Sequence, residues 1–426
     1  MSNRHKAVSR QARDTEQALV ALARHADRRK WSESQQIDFL FTCTTIQELH
    51  AQVDADSPLT LRYQHWVMGR PLTERRRTRQ ALLTLAAKRT ALLDRPELVP
   101  ALGVLTTHYL SRQRELTDWQ PRTRNAFRQL ESLVRHLFDG YGDVPGWVLE
   151  AWAGGELTCA GVNLAELTIH LGTGHSLRSF PGLPAPLTKK LEHEMRLAPA
   201  GCTFIEALRY AQLAARGALD WLGPVLQTFW SRTVGPDDAF WLGVVDFFAA
   251  APMVDPRHFG PVCDWIQQKR TVGIGAEPPQ PGFSLKGRSM ASVLAQTEQW
   301  HRGLAHVRRH AGHVLATTWT PLPVSDFTSG DDQRALITQL RTYGELVEEG
   351  RSLRHCVASY LYSCQKGACG IFGLRLDGAR TITLEVLRNR TIVQARGRYN
   401  REMTDAERFW VTRWAAEAQL TLSKHV

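Results

Sequence analysis

A chain of 426 residues, 43% of them hydrophobic, is long enough to bury a large core and to form two or three domains. Its formal charge of +11 and isoelectric point near 9.5 favour polyanionic partners, nucleic acid first. The longest apolar runs, such as Trp241 to Ala251, are short and contain Asp246, which argues against a membrane span or a membrane partner. The start Met1-Ser2-Asn3-Arg4-His5-Lys6 lacks an apolar signal core, and seven cysteines, an odd number, do not suit a disulfide framework. A reducing, cytoplasmic setting is expected.

Residues 1–145 read as a basic helical region, with Thr73 in Pro71-Leu72-Thr73-Glu74 as a candidate cap for a helix through Leu82, Leu83 and Leu85. Its cations cluster as Arg28-Arg29-Lys30, then Arg75, Arg76, Arg77 and Arg79, then Lys88 and Arg89, then Arg122, Arg124 and Arg128. These form either a nucleic-acid-binding surface or simply the solvated faces of helices, since Leu and Ala interleave them at helical spacing. After the break at Gly140 to Gly146, residues 146–272 read as a second helical domain, and helix pairs in an irregular solenoid suit the spacing. Gly172-Thr173-Gly174 has no following Lys-Ser/Thr and no preceding strand, so it is not a phosphate loop.

Residues 273–314 hold a Pro/Gly-rich linker and a helix from about Ser289 to His310; residues 315–426 read as a small α+β domain. There the spacing predicts a helix from Gln333 to Val347, with Leu336, Ile337, Leu340, Tyr343, Leu346 and Val347 on one face and Gly350 as its C-cap. A second helix is predicted from Ser352, with Leu353, Val357, Tyr360, Leu361 and Cys364 forming a core stripe. Three β-like runs follow, Ile371 to Leu376, Thr381 to Leu387 and Thr391 to Arg396, giving an antiparallel three-stranded sheet. The capping box Thr404-Asp405-Ala406-Glu407 opens a last helix.

The chemistry concentrates in Arg354-His355-Cys356-Val357-Ala358-Ser359-Tyr360. A cysteine in a first helical turn lies at the positive end of the helix dipole, which favours a thiolate nucleophile, and free cysteine is as readily a small buried hydrophobe. On the helical wheel His355 and Cys356 point to different sides, so both serve one site only if the helix begins after them. A three-residue loop Asp377-Gly378-Ala379 would put Phe372, Leu374, Ile382, Leu384 and Val386 on an apolar face and Thr383 and Glu385 on the other, with Glu385 opposite Gln394 and beside Arg396. His355, Cys356, Tyr360, Glu385, Gln394 and Arg396 are therefore the candidate catalytic set, with Glu385 as general acid or base; the competing reading is a solvated sheet face. A zinc site from His355, Cys356, Cys364 and Cys369 lacks the paired short spacings of structural zinc, and neither metal nor cofactor is expected.

Glu349-Gly350, Leu353, His355-Cys356-Val357, Tyr360, Cys364, Gly367, Ile371, Leu374-Arg375, Thr383-Leu384-Glu385, Gln394, Gly397 and Asn400 together resemble the signature of the PcfJ-like family, named for a protein of a conjugative plasmid. Segments such as His170-Leu171-Gly172, Leu183-Pro184 and Phe283-Ser284-Leu285-Lys286-Gly287-Arg288-Ser289 are similar to longer members. Ala358 stands where the family pattern has Gly, a change a helix tolerates. The resemblance implies a bacterial protein of plasmids or other mobile elements, with a role in conjugation or DNA processing and with protein partners in a mobile-element complex. Three readings remain open: a nucleic-acid-associated accessory protein, a hydrolase- or nuclease-like enzyme acting in plasmid or phage conflict, and a protein-interaction module.

Overall fold

The computed structural model describes residues 31–142, 144–154, 157–251, 253–306, 315–330, 334–355, 357–423 and 426. Arg28, Arg29, Lys30 and Cys356 lie outside the described residues. The described residues form two compact units, one reaching to Ala211 and one from Gln212 to Val426. No helix among them is long and apolar enough to cross a membrane.

The first unit is helical apart from a two-stranded ribbon, Thr158–Cys159 with Val162–Asn163. Helix α1 (Leu72–Ala87) starts one residue before Thr73, so Thr73 is not its cap, and it buries Thr78, Ala81, Leu82 and Leu85 on one stripe. Helix α2 (Ala126–Phe138) is capped by the Asn125 side chain and buries Leu130, Leu133, Val134 and Leu137, the 3.6-residue spacing expected of a surface helix. Buried indole N–H groups find carbonyls, Trp66 donating to Val99 and Trp147 to Met195, which lets these large side chains enter the core without an unmet donor.

In the second unit, helices α3 (Phe259–Thr271) and α4 (Met290–His306) share a core of Trp241, Val245, Phe248, Phe259, Trp265 and Val293. Strands β1 (Phe327–Thr328), β2 (Ala335–Leu340), β3 (Cys369–Leu376), β4 (Ala379–Leu387), β5 (Thr391–Gly397) and β6 (Thr421–Leu422) form one sheet in that spatial order, curled into a half-barrel. Neighbours are antiparallel except β5 and β6, which run parallel. The expectation of three antiparallel strands is thus corrected to six, two of them of two residues each, too short to leave a periodic signal.

The predicted helix from Gln333 is likewise corrected. Residues 335–340 form β2, and the helix, α5, covers Tyr343–Leu353. Leu336, Ile337 and Leu340 match a helical stripe, but the strand is buried on both faces, Ala335 and Ile337 in one core cluster and Leu340 in another, so no alternation marks it and pairing with β3 decides for the strand. Thr342 then caps α5, with Glu345 completing the capping box. Gly350 is inside α5 rather than at its end, Ser352 is in its last turn rather than its start, and Arg354 closes it with φ of 57°. The chain turns back at once, His355 N–H donating to the Gly350 carbonyl at 3.1 Å, and only then forms a short 3-10 helix, Val357–Tyr360. The motif therefore opens a loop, not a helix.

The hairpin between β3 and β4 turns on two residues, Asp377 and Gly378, both with positive φ, instead of the expected three. A register shift at Leu374/Arg375 restores the alternation, so Phe372 pairs Leu384 and Leu374 pairs Ile382 on the apolar face. Helix α6 (Asp405–Glu417) covers that face with Val411, Trp414 and Ala415, its Thr404–Glu407 capping box formed.

A β-carbon added at Gly350 would lie 2.8 Å from the His355 carbonyl oxygen. Gly350→Ala should cost about 1–3 kcal/mol through this backbone clash. Gly243→Ala, in an exposed helical position with open space around it, should be neutral or mildly stabilising. Urea denaturation of both variants tests the contrast, and equal midpoints would show that the loop does not press on α5.

Candidate functional site

The polar face of the sheet, opposite α6, carries the chemistry. Thr383 pairs Arg396 and Glu385 pairs Gln394 across β4 and β5, so four polar side chains form a square on one face. Thr383, Glu385 and Arg396 are each over 90% buried. The 3-10 helix Val357–Tyr360, the loop Arg398–Glu402 and the segments around Gly223–Gln227 and Pro256–Asp264 surround this square, leaving a cleft of about 540 Å³. His355, Tyr360, Glu385, Gln394 and Arg396 all line it. Five of the six candidate catalytic residues thus converge, and the sixth, Cys356, lies outside the described residues.

Glu385 is held by Arg232, which donates to both carboxylate oxygens at 2.9 Å. Burial works against the Arg232 cation, but the carboxylate more than offsets it and keeps the guanidinium above its usual range. The Tyr360 hydroxyl lies 3.2 Å from Glu385 Oε2 and 3.0 Å from Gln394 Oε1, and the Gln394 amide nitrogen donates to the Gln227 carbonyl at 3.2 Å. Glu385 so placed fixes the positions of Arg232 and Tyr360.

His355 makes no hydrogen bond to Glu385 among the described residues. Its Nε2 lies 3.0 Å from the Thr383 hydroxyl, which donates to Glu349 Oε1 at 2.9 Å; Arg380 pairs with Glu349 Oε2 at 3.0 Å. Room for the Glu349 carboxylate comes from Gly373, where a β-carbon would lie 2.9 Å from Oε1. With the hydroxyl proton given to Glu349, the hydroxyl oxygen accepts from Nε2–H; with a proton on Glu349, the chain reverses. Burial lowers His355 to about 4, helped by nearby His301, itself lowered to about 4 by burial. Burial also raises Glu349 against the opposing pull of Thr383, Arg380 and Arg375. A neutral imidazole linked through one hydroxyl to a buried carboxyl has the geometry to pass a proton, and His355 and Thr383 both line the cleft.

Arg396 is the exception on this face. Burial lowers its guanidinium, and its one hydrogen bond among the described residues is a long 3.4 Å contact to the Ala395 carbonyl.

Sequence reasoning missed Arg232, Glu349, Thr383 and Asn400. The last three stand in the motif blocks that carry the family resemblance, which was the available signal; Arg232 lies 153 residues from Glu385 with none.

Among the basic candidates, Arg76, Arg79, Arg89, Arg122, Arg124 and Arg128 are exposed and Arg75, Arg77 and Lys88 half-buried. Arg79 pairs with Asp38 at 2.7 Å, Lys88 donates to the Thr117 carbonyl, and Arg75 donates to the Arg70 carbonyl. The Gln129 side chain ties the end of α1 to the start of α2, accepting from Ala91 N–H at 3.0 Å and donating to the Thr123 carbonyl at 2.5 Å. This brings Arg89 into one neighbourhood with Arg122, Arg124 and Arg128, while Arg75, Arg76 and Arg77 lie about 18 Å away along α1.

A helical region leading into a curled six-stranded sheet, with a hydrogen-bonded polar chain and a cleft on the face opposite its last helix, defines the class. Residues 324–410, from just before β1 into α6, are similar to the family described as PcfJ-like protein. No curated protein and no solved structure matches the chain.

Two measurements test the site. Arg232→Met leaves the buried Glu385 carboxylate without its cation and should lose about 3 kcal/mol, much of it regained when Glu385→Gln is added. Chemical denaturation of the single and double variants reads this, and a loss under about 1 kcal/mol would mean that water screens the pair.

Because His355 is lowered in the folded state, the unfolded chain binds the proton first as pH falls below 6.5. Stability should therefore fall towards pH 4, by about 3 kcal/mol from His355 alone, offset in part by Glu349, whose raised carboxyl acts in the opposite sense. His355→Gln should flatten the dependence of melting temperature on pH between 6.5 and 5; an unchanged slope would assign the acid sensitivity to other groups.

Proposed function

We propose that the protein acts with nucleic acid in a plasmid or other mobile element, its helical unit holding DNA phosphates with the cations at the junction of α1 and α2. The observation that carries this reading is the gathering of exposed Arg89, Arg122, Arg124 and Arg128, none with an ion pair among the described residues, in a chain of net charge +11. The similarity of residues 324–410 to the PcfJ-like family supports the mobile-element setting. Conjugation or DNA processing, bacterial origin and partner proteins of a mobile-element complex follow from the same likeness.

A second reading, that the sheet domain is an enzyme, is favoured by the Glu349–Thr383–His355 relay. His355 is neutral at pH 7 and so suited to accept a proton from a bound hydroxyl or water, with Tyr360 and Glu385 ordering the opposite wall.

Binding of the full chain to single-stranded DNA, duplex DNA and RNA, followed by fluorescence anisotropy, tests the first reading. Affinity should fall steeply between 50 and 200 mM salt, and Arg89→Gln, Arg124→Gln and Arg128→Gln together should weaken binding at least tenfold and reduce the salt slope by about 3. Unchanged affinity and slope in the triple variant would remove this surface from the account.

A further inference from the structure

Arg396, the one buried cation among the described residues of the sheet domain, has no acidic partner at hydrogen-bond distance. Arg232 on the same face is joined to Glu385 by two hydrogen bonds, and Arg380 beside it pairs with Glu349 and Glu348. Arg396 is 8% exposed, faces the cleft across from Thr383, and has five N–H donors of which one makes a long bond to a neighbouring carbonyl. Its desolvation is offset only in part, by the charge of Glu402 acting from a distance and by Tyr360, and a bound anion in direct contact would complete the compensation.

The surroundings specify which anion. Asp264 and Glu402 also line the cleft, Glu402 exposed to solvent, and neither forms an ion pair with Arg396. The cleft is also lined by Pro256, Arg257 and Gly260, the turn that leads into α3, which adds a guanidinium with no ion pair among the described residues and the positive end of a 13-residue helix. Asn400 lines the cleft with φ of 60°, a conformation that the Arg398–Glu402 loop maintains because Arg401 is clamped to Glu407 at 2.6 and 2.7 Å. Its amide has no hydrogen-bond partner among the described residues and offers both a donor and an acceptor to a ligand. At about 540 Å³, with apolar Pro224, Pro261, Val357 and Ile371 in its lining, the cleft has the size and the mixed walls of a small-molecule site.

We infer that the cleft is a nucleotide-binding site in which Arg396 receives a phosphoryl group. The occupant is a nucleoside monophosphate or the phosphorylated terminal nucleotide of a strand, two sources of one chemistry. The phosphoryl group sits between Arg396 and the start of α3, with Asn400 and the proline-lined wall available to the sugar and base. This deepens the enzyme reading, since it gives the His355 relay a substrate class, and it is independent of the basic surface on the helical unit.

Titration calorimetry on the full chain tests it, with AMP, inorganic phosphate, and short DNA strands bearing a 5′-phosphate or a 5′-hydroxyl. AMP should bind wild type, and Arg396→Met should weaken it at least tenfold, with Arg396→Lys intermediate because a point charge cannot make the two-pronged contact. A preference for the 5′-phosphorylated strand lost with Arg396→Met identifies the strand end as the source; a preference for AMP alone identifies the free nucleotide. Arg396→Met should also keep or raise the melting temperature without ligand, whereas a merely structural arginine would lower it. The Arg89/Arg124/Arg128 triple variant should bind AMP as wild type does, so failure of the basic surface and failure of the cleft separate. The inference is overturned if AMP and the phosphorylated strand bind Arg396→Met and Arg396→Lys as tightly as wild type, or if neither binds wild type.

Discussion

The second unit depends on an ion pair made in its interior, Arg232 with Glu385, at two matched distances of 2.9 Å. A carboxylate in the middle of a sheet face, 6% exposed, is tolerable only with a cation and enough donors to replace water. Arg232 supplies both from a 3-10 turn far away in sequence, and the sheet is thereby tied to the helices that precede it. Once Glu385 is fixed, the Tyr360 hydroxyl has a place between Glu385 and Gln394, and Gln394 can turn its amide to the Gln227 carbonyl. The cleft is the space left after these bonds are made.

Close approach to the polar face also requires missing side chains. Gly373 on β3 makes room for the Glu349 carboxylate, Gly350 on α5 for the returning His355 carbonyl, and Gly397 at the end of β5 for the Arg401 guanidinium. Each glycine serves a different charged or polar element of the site. The hydrogen-bonded chain from Glu349 through Thr383 to His355 therefore rests as much on two small residues as on its three members.

What the sequence revealed follows from the range of each interaction. The β3–β4–β5 register is local, set by alternation and tight turns, and the placement of Glu385 opposite Gln394 beside Arg396 could be read directly from it. The turn was misjudged by one residue, yet the register shift at Leu374/Arg375 returned the side chains to the same faces. Strand β2 reads as helix because Leu336, Ile337 and Leu340 match a helical stripe and a strand with apolar residues on both faces shows no alternation, so only the partner strand decides. The start of the motif failed for a similar reason: Arg354 in the left-handed region ends α5 through tertiary packing of the returning loop, which a wheel drawn from Ser352 does not contain. Arg232, in a different helical segment, carries no local mark of its role at all.

Two arginines on one surface show how environment divides a single chemistry. Arg232 and Arg396 are both largely buried, yet the first is held above its usual range by a bonded carboxylate and the second pushed below it by burial without one. Folding alone would favour exchanging the second for an apolar side chain of the same length, since its charge is removed from water and weakly answered by one carbonyl. A fold that keeps Glu349, Glu385 and Glu407 each matched to an arginine has the means to match a fourth. That Arg396 faces a cleft beside a neutral imidazole, with its complement open, is the arrangement of a binding site whose counter-charge comes with the ligand.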